Sequence, residues 1–355
     1  MKAEYVVLKD VCDKASSNIA QKDLLEHDGC YPIYGASGFI KNVDFFQQEK
    51  EYVAIVKDGA GIGRAMKLPA KSSVIATMQY IIPKDNINIS YLYYAVCSMH
   101  LEKYFSGATI PHIYFRDYQK EKLPLPLLDE QVKIASIFDK LETLINTKKK
   151  QIDKLDVLVK SRFIEMFGDI IINDKQWVKK PLGDLCYISR GGSPRPINQF
   201  LGGTVPWIKI GDATNGDNIY LTKTKEHIIS DGVKNSHLVK PGSLIFANCG
   251  VSLGFARIIT FEGCIHDGWL SFEDIDQSLD KVFLLLTLNF MTRYFRNTAP
   301  AGTQPNLNTA IMKQYMQIIP PLEMQKQYVI FVKQIDKSKF VGLTPSHRLR
   351  RCQPP

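Results

Sequence analysis

The stretch from Leu123 to Phe167 constrains this chain more than any other. It opens with Pro124 and Pro126, whose rings fix φ and remove a backbone donor, so the entry is extended. Asp129 and Glu130 then put negative charge where a helix begins, the favourable end for its dipole. No Gly or Pro follows until Gly168. Apolar side chains recur at Ile134, Phe138, Leu141, Ile145, Ile152, Leu155, Val159 and Met166, in steps of four and three, with Lys148 and Arg162 in the two missing places. The spacing predicts a heptad seam, which calls for a partner helix. About 40 helical residues span roughly 60 Å at 1.5 Å per residue. A helix of that length inside a chain separates two bodies.

The sequence on either side of it is duplicated. LKDVC (8–12) matches LGDLC (182–186). Val53-Ala54-Ile55-Val56, followed by Gly59 and Gly63, matches Leu244-Ile245-Phe246-Ala247, followed by Gly250 and Gly254. Thr109, Pro111 and Gln131 correspond to Thr303, Pro305 and Gln325, each pair 194 positions apart. Ile113 and Leu307, Leu128 and Leu322, and Asp129 and Glu323 keep that register. Both copies read as β-rich: short runs such as YPIYGASGF (31–39), EYVAIVKDG (51–59), QYIIPKD (79–85) and KPGSLIFANCG (240–250) are punctuated by Gly. Helices are predicted around Ser90–Phe105 and 282–295. A second proline-led helix starts after Pro320-Pro321 and loses its likeness to the first near Lys339. Gly342 and Pro345 stop it, and a basic irregular tail follows. The expected organisation is a first β-rich domain (1–123), a helical spacer (124–167), a second β-rich domain (168–317), a short second helix (318–340) and a tail (341–355), an α+β architecture.

Composition narrows the partner. The 355 residues carry a formal net charge of +9 with a pI near 9.0, which favours a polyanion: nucleic acid first, an anionic membrane surface second. Hydrophobic content of 45% is enough to build cores. Seven cysteines are scattered without a CxxC pair or a zinc-type His/Cys pattern, and the N-terminus shows no apolar signal region, so a reducing cytoplasm is expected. The longest apolar run, Val282–Phe290, is too short to span a bilayer.

Most catalytic signatures are missing. VAIVKDGAGIGRA (53–65) has Arg64 where a dinucleotide fingerprint needs its third glycine, and reads as a hairpin turn. There is no GxxxxGK[ST] phosphate loop and no Asn/Asp-Pro-Pro-aromatic box. Asp129, Glu130 and Lys133 resemble a fragment of a metal nuclease site, but they fall at a helix start, where capping explains them better. His266-Asp267 is a pair without a third partner, expected to be packed or hydrogen-bonded, and the cysteines are expected to be buried small hydrophobes. No metal site is predicted. What survives is polyanion binding: Lys57, Arg64 and Lys67 flank the glycine turn of the first copy, and Arg190, Arg195 and Lys209 lie on or beside the Gly/Pro-rich stretch 191–212 of the second.

In plan and motifs the chain resembles the specificity subunit of type I restriction–modification systems. The likeness is carried by LPLPLLDEQVKIASIFDKLETLI (123–145), SRFIEMFGD (161–169), WVKKPLGDL (177–185), GGSPRP and VPWIKIGD (191–196 and 205–212), and QPNLN with IIPPLEMQ (304–308 and 318–325); YPIYGASGFI (31–40) is similar to a motif of one subclass. The resemblance implies a non-catalytic reader of double-stranded DNA. Each β-rich target-recognition domain would read half of a split site. The helices would form an antiparallel coiled coil that sets the gap. Two methyltransferase subunits and the restriction/translocation subunits would assemble on it. S-adenosylmethionine, ATP and Mg2+ would belong to those partners, with no cofactor in this chain. A standalone DNA endonuclease, the reader half of a fused methylating restriction enzyme, and an RNA- or partner-binding scaffold remain as alternatives. The short second helix has a consequence of its own. Phe331, Val332 and Ile335 can cover the seam near Leu155–Met166, whereas Ile134–Ile145 is left bare, for a second copy or a methyltransferase subunit to cover.

Overall fold

The computed structural model describes residues 4–107, 110–214, 218–299 and 306–341. The expected tail from Gly342 and the matched residues Thr109, Thr303 and Pro305 lie outside them. Two compact units, Met1–Thr147 and Lys148–Pro355, divide the chain within one helix, Leu128–Phe167. That helix begins and ends where the prolines and Gly168 place it. At its start the Leu127 carbonyl accepts from the Glu130 and Gln131 amides (2.9 and 3.0 Å). At its end Gly168 takes φ +73°, the left-handed C-cap conformation that glycine adopts most easily. The freed carbonyls find side chains: Trp177 Nε1 donates to the Phe167 carbonyl (3.0 Å) and Lys175 Nζ to that of Met166 (3.3 Å).

In the first unit β1 (Glu4–Val7) is followed by β2 (Cys12–Ser16), β3 (Tyr31–Gly35), β4 (Gly38–Val43), β5 (Tyr52–Val56), β6 (Ala65–Leu68), β7 (Ser73–Val74), β8 (Met78–Pro83) and β9 (Lys122–Leu125). An antiparallel sheet of order β2-β8-β5-β6 forms the centre, β4-β3-β7 makes a smaller sheet, and β1 pairs with β9. All of Tyr52–Val56 is buried, because β5 is covered on both faces. Val53 and Ile55 join a core with the helix Ile89–Ser98 and Ala135 of the long helix, whereas Ala54 and Val56 face Ile33, Val43 and Tyr80. The predicted helix Ser90–Phe105 is shorter than expected: it stops at Ser98, and His100 in a left-handed conformation (φ +51°) redirects the chain into a single turn, Leu101–Tyr104.

The second unit repeats this frame and enlarges it. Its strands are β10 (Lys179–Pro181), β11 (Tyr187–Arg190), β12 (Leu201–Ile208), β13 (Tyr220–Leu221), β14 (Glu226–Ile228), β15 (His237–Val239), β16 (Leu244–Ala247), β17 (Ala256–Ile259), β18 (Gly263–Ile265), β19 (Trp269–Glu273) and β20 (Met316–Ile318). The sheet β11-β19-β16-β17-β13 corresponds to the central sheet of the first unit, and β10-β20 to β1-β9. A second sheet, β14-β12-β18-β15, takes β12 from the Gly/Pro-rich stretch and its other strands from later in the chain.

The duplication holds at the level of single atoms. Gln131 Oε1 accepts from the Asn88 amide (2.8 Å), and its Nε2 donates to the carbonyls of Pro126 (2.8 Å) and Asn86 (3.1 Å). Gln325 makes the same three bonds to Asp280 (2.8 Å), Pro320 (2.7 Å) and Ser278 (2.9 Å). Asn88 and Asp280 in turn cap the helices Ile89–Ser98 and Lys281–Phe290. Both glutamines are buried, so this motif fastens each proline-led helix to its own domain.

The seam on the long helix divides into three zones. Ile134 packs, half-buried, on the first unit's core. Phe138, Leu141 and Ile145 are 44%, 48% and 38% exposed, although the ring of Tyr94 lies 4.9 Å from that of Phe138. Ile152, Leu155 and Val159 are half-buried, and Met166 is buried in the second unit. Phe163, outside the predicted seam, proves to be the anchor: fully buried, it contacts Phe167, Phe283, Phe290 and Tyr328. The terminal helix Leu322–Val341 runs antiparallel here, with Tyr328 Oη donating to the Val159 carbonyl (3.3 Å) and, later in the chain, Lys339 Nζ on Asp156 (2.6 Å). Val332 is buried in that core and Phe331 packs on it.

Candidate nucleic-acid interface

Apart from Lys67, the candidate cations gather at one end of each central sheet, where β5 and β16 run out. In both units the chain beyond that strand is stitched to a later segment by the same bonds. Ile113 N donates to the Lys57 carbonyl (2.9 Å) and Leu307 N to that of Asn248 (2.8 Å). Beside them, Asp58 bridges His112 and Cys249 bridges Asn306. The fold therefore presents one structural position twice, with different side chains on it.

In the second unit that end is a compact charged cluster. Gly191 and Gly192 follow Arg190 without a side chain because none fits: a Cβ on Gly191 would come within 2.1 Å of the His266 carbonyl. This close approach brings β11 onto the His266-Asp267 turn. Arg190 Nε donates to the Asp267 carbonyl (3.0 Å), Arg195 Nη2 lies 3.5 Å from Asp267 Oδ2, and Ser193 Oγ donates to Oδ1 (2.9 Å). Burial pushes the Asp267 carboxyl up, but Ser193, His266, Arg195 and Arg190 outweigh it and hold it below the usual carboxylate range. Burial pushes His266 below its ordinary value and Asp267 pulls it back, while Arg195, Lys209 and Arg190 push it down further. His266 Nδ1 accepts from the Gly268 amide (2.9 Å), as a neutral imidazole can. Lys209 Nζ lies 5.2 Å from the Trp207 ring and 2.5 Å from Glu226 Oε1. Arg190 and Arg195 are exposed, so their outer guanidinium edges face solvent as preoriented donors.

The first unit is sparser. Burial, and then Lys14, draws Lys57 below the usual lysine value. His112 lies against Asp58, and burial followed by Lys57 lowers its pKa. Arg64 is exposed but folds back to donate to the Ala36 carbonyl (2.9 Å). Lys67 is not brought to this end. It lies on the return strand, donates to Ser90 Oγ (2.8 Å) and approaches Asp139 (3.8 Å), so it ties β6 to the helices.

Other expectations need correction. His266 is hydrogen-bonded as expected, by the Gly268 amide, and its Nε2 lies 3.0 Å from Asp267 Oδ1; Asp267 in turn has partners that sequence spacing did not reveal, Arg195 and Ser193. Only Cys12, Cys186 and Cys264 are buried; Cys249 is half-buried, Cys30 and Cys97 are exposed, and Cys352 lies outside the described residues. His112, Tyr114 and Trp207 were not singled out, although His112, Tyr114 and Arg116 alternate in the sequence; in the structure His112 sits on a bridge and Arg116 in the helical turn Phe115–Tyr118.

The family profile of the type I restriction modification DNA specificity domain matches residues 2–157 and again 174–341. The chain belongs to that family. Two relatives from Methanocaldococcus jannaschii fit this assignment. The type I restriction enzyme MjaIX specificity subunit is 25% identical over 273 residues, 70% of this chain and 62% of that protein. The MjaVIII specificity subunit is 24% identical over 348 residues, 88% and 80% respectively. The crystal structure of a type I restriction–modification S subunit from M. genitalium superposes with a TM-score of 0.58 at 16% identity, covering 96% of this chain and 92% of its own. At that identity the match speaks for the fold, which is the expected pair of β-rich domains and a long helix.

Proposed function

We propose that this chain is the DNA-recognition subunit of a type I restriction–modification complex and has no catalytic role of its own. Each unit reads one half of a split site in double-stranded DNA. The observation that carries this reading is the repeated frame: the same strand-end position occurs twice, bears basic side chains in each unit, and differs in chemistry between them. Two unlike half-sites require such an arrangement. Methyltransferase and restriction subunits dock on the helical parts, where Phe138, Leu141 and Ile145 leave apolar surface open. S-adenosylmethionine, ATP and Mg2+ then belong to those partners. Methylation sequencing of a host with and without the gene tests this. Deletion is expected to abolish adenine methylation at one bipartite motif with two unlike halves. Unchanged methylation, or loss at an uninterrupted motif, would contradict the proposal.

A further inference from the structure

The first unit carries a side-chain ladder that its fold does not require. The ring of Tyr114 stands 4.1 Å from that of His112, and the Arg116 guanidinium lies over the Tyr114 ring, 4.6 Å from its centroid. The segment is pinned from behind. His112 and Ser106 exchange both backbone hydrogen bonds (2.9 Å each), and Ile113 is buried with its amide on the Lys57 carbonyl. Tyr114 is nevertheless 42% exposed, and Arg116 is exposed, with its Nε 3.7 Å from Asp117 Oδ1.

The second unit shows what the same backbone does without the ladder. At the matched positions it has Asn306, Asn308 and Ala310. Asn308 caps the helical turn Thr309–Gln314 through its side chain, which accepts from the Ile311 amide (3.0 Å). Tyr114 stands at the matching cap of Phe115–Tyr118 and makes no side-chain cap bond. Asparagine is among the preferred residues there. The first unit thus forgoes a local bond and exposes an aromatic ring beside an arginine. Positions that break a local rule are expected at functional or strained sites. Stacking on the ring restrains the guanidinium, whose fork matches the two acceptors on a guanine edge. Lys57 and the turn after β5 adjoin this ladder, at the sheet end already identified.

We propose that the His112–Tyr114–Arg116 ladder is the base-reading element of the first unit, with Arg116 as the donor to a guanine edge and Tyr114 as its positioning platform. The inference rests on the DNA-recognition role proposed above. It is tested by selecting a randomised 40-base-pair duplex library on the full-length chain, wild type beside Arg116→Lys, Arg116→Ala and Tyr114→Asn. Tyr114→Asn installs the residue of the second unit, so it should fold at least as stably as wild type. A wild type that enriches no sequence defeats the underlying role itself. If wild type enriches a bipartite motif, each variant is expected to lose preference at one or two positions of one half, with affinity for the wild-type motif down roughly 10- to 100-fold. The other half should be unchanged. An unchanged motif in all three variants overturns the inference. So does uniform weakening across sequences with a shallower salt dependence in Arg116→Ala, because that is the signature of a phosphate contact.

Discussion

Phe163→Ala is expected to lower the stability of the second unit by about 3–5 kcal/mol, the range for removing a fully buried phenylalanine and leaving a cavity. The residue has no solvent exposure and meets four other rings, of which Phe290 is the nearest at 4.3 Å. Those rings come from the helices Lys281–Phe290 and Leu322–Val341 and from the long helix itself, so the cavity cannot close by moving one element. A domain of ordinary stability has only ~5–15 kcal/mol in total. The chain's three tryptophans, Trp177, Trp207 and Trp269, all lie in the second unit, which makes their fluorescence a selective probe of its unfolding. The urea midpoint read this way should fall steeply, and Phe163→Leu should recover most of the loss. A shift worth less than about 1 kcal/mol would show that the anchor lies elsewhere.

Gln131→Ala is the second large expected effect, about 3 kcal/mol in the first unit. The side chain is 1% exposed and satisfies one backbone N–H and two carbonyls. Each buried backbone group left without a partner costs on the order of 1 kcal/mol or more. Hydrogen exchange at the Asn88 amide should accelerate first, because that proton loses its acceptor. Gln131→Glu separates size from chemistry. It keeps an acceptor but turns both donors into carboxylate oxygen facing the Pro126 and Asn86 carbonyls. Its folded-state pKa should therefore rise above the unfolded value of about 4.3. Such a group favours folding fully below the unfolded pKa, and the contribution is lost as pH rises through the folded pKa. This variant is expected to be more stable in acid than at neutral pH relative to wild type. Equal loss at all pH values would contradict the donor roles assigned to Nε2.

Much of the fold was legible because its signals are local. Prolines at 124 and 126 and Gly168 bound the long helix to within a residue or two, since each acts through its own φ and hydrogen-bonding capacity. The register joining Gln131 to Gln325 was readable as identity, but its reason was not: the three backbone groups each glutamine holds come from segments up to 47 positions away. The heptad pattern found the helix and misplaced its anchor. Periodicity ranks positions by facing direction, whereas Phe163 is buried by whatever its own domain packs against it. Charge at the glycine turn identified Lys57 and Lys67 together, yet two strands of a hairpin carry them apart, and Lys67 ends on Ser90. The Asp267 cluster needed the tertiary fold, because Ser193, Arg195 and Asp267 meet only when β11 reaches the turn before β19.

The central claim is that the two units read DNA independently. Exchanging residues 4–123 for the matching domain of another family member, in a host lacking the original gene, tests it most directly through the methylated motif. One half of the bipartite sequence is expected to change to the donor's half while the other stays as it was. A motif altered in both halves, or in neither, would contradict the account.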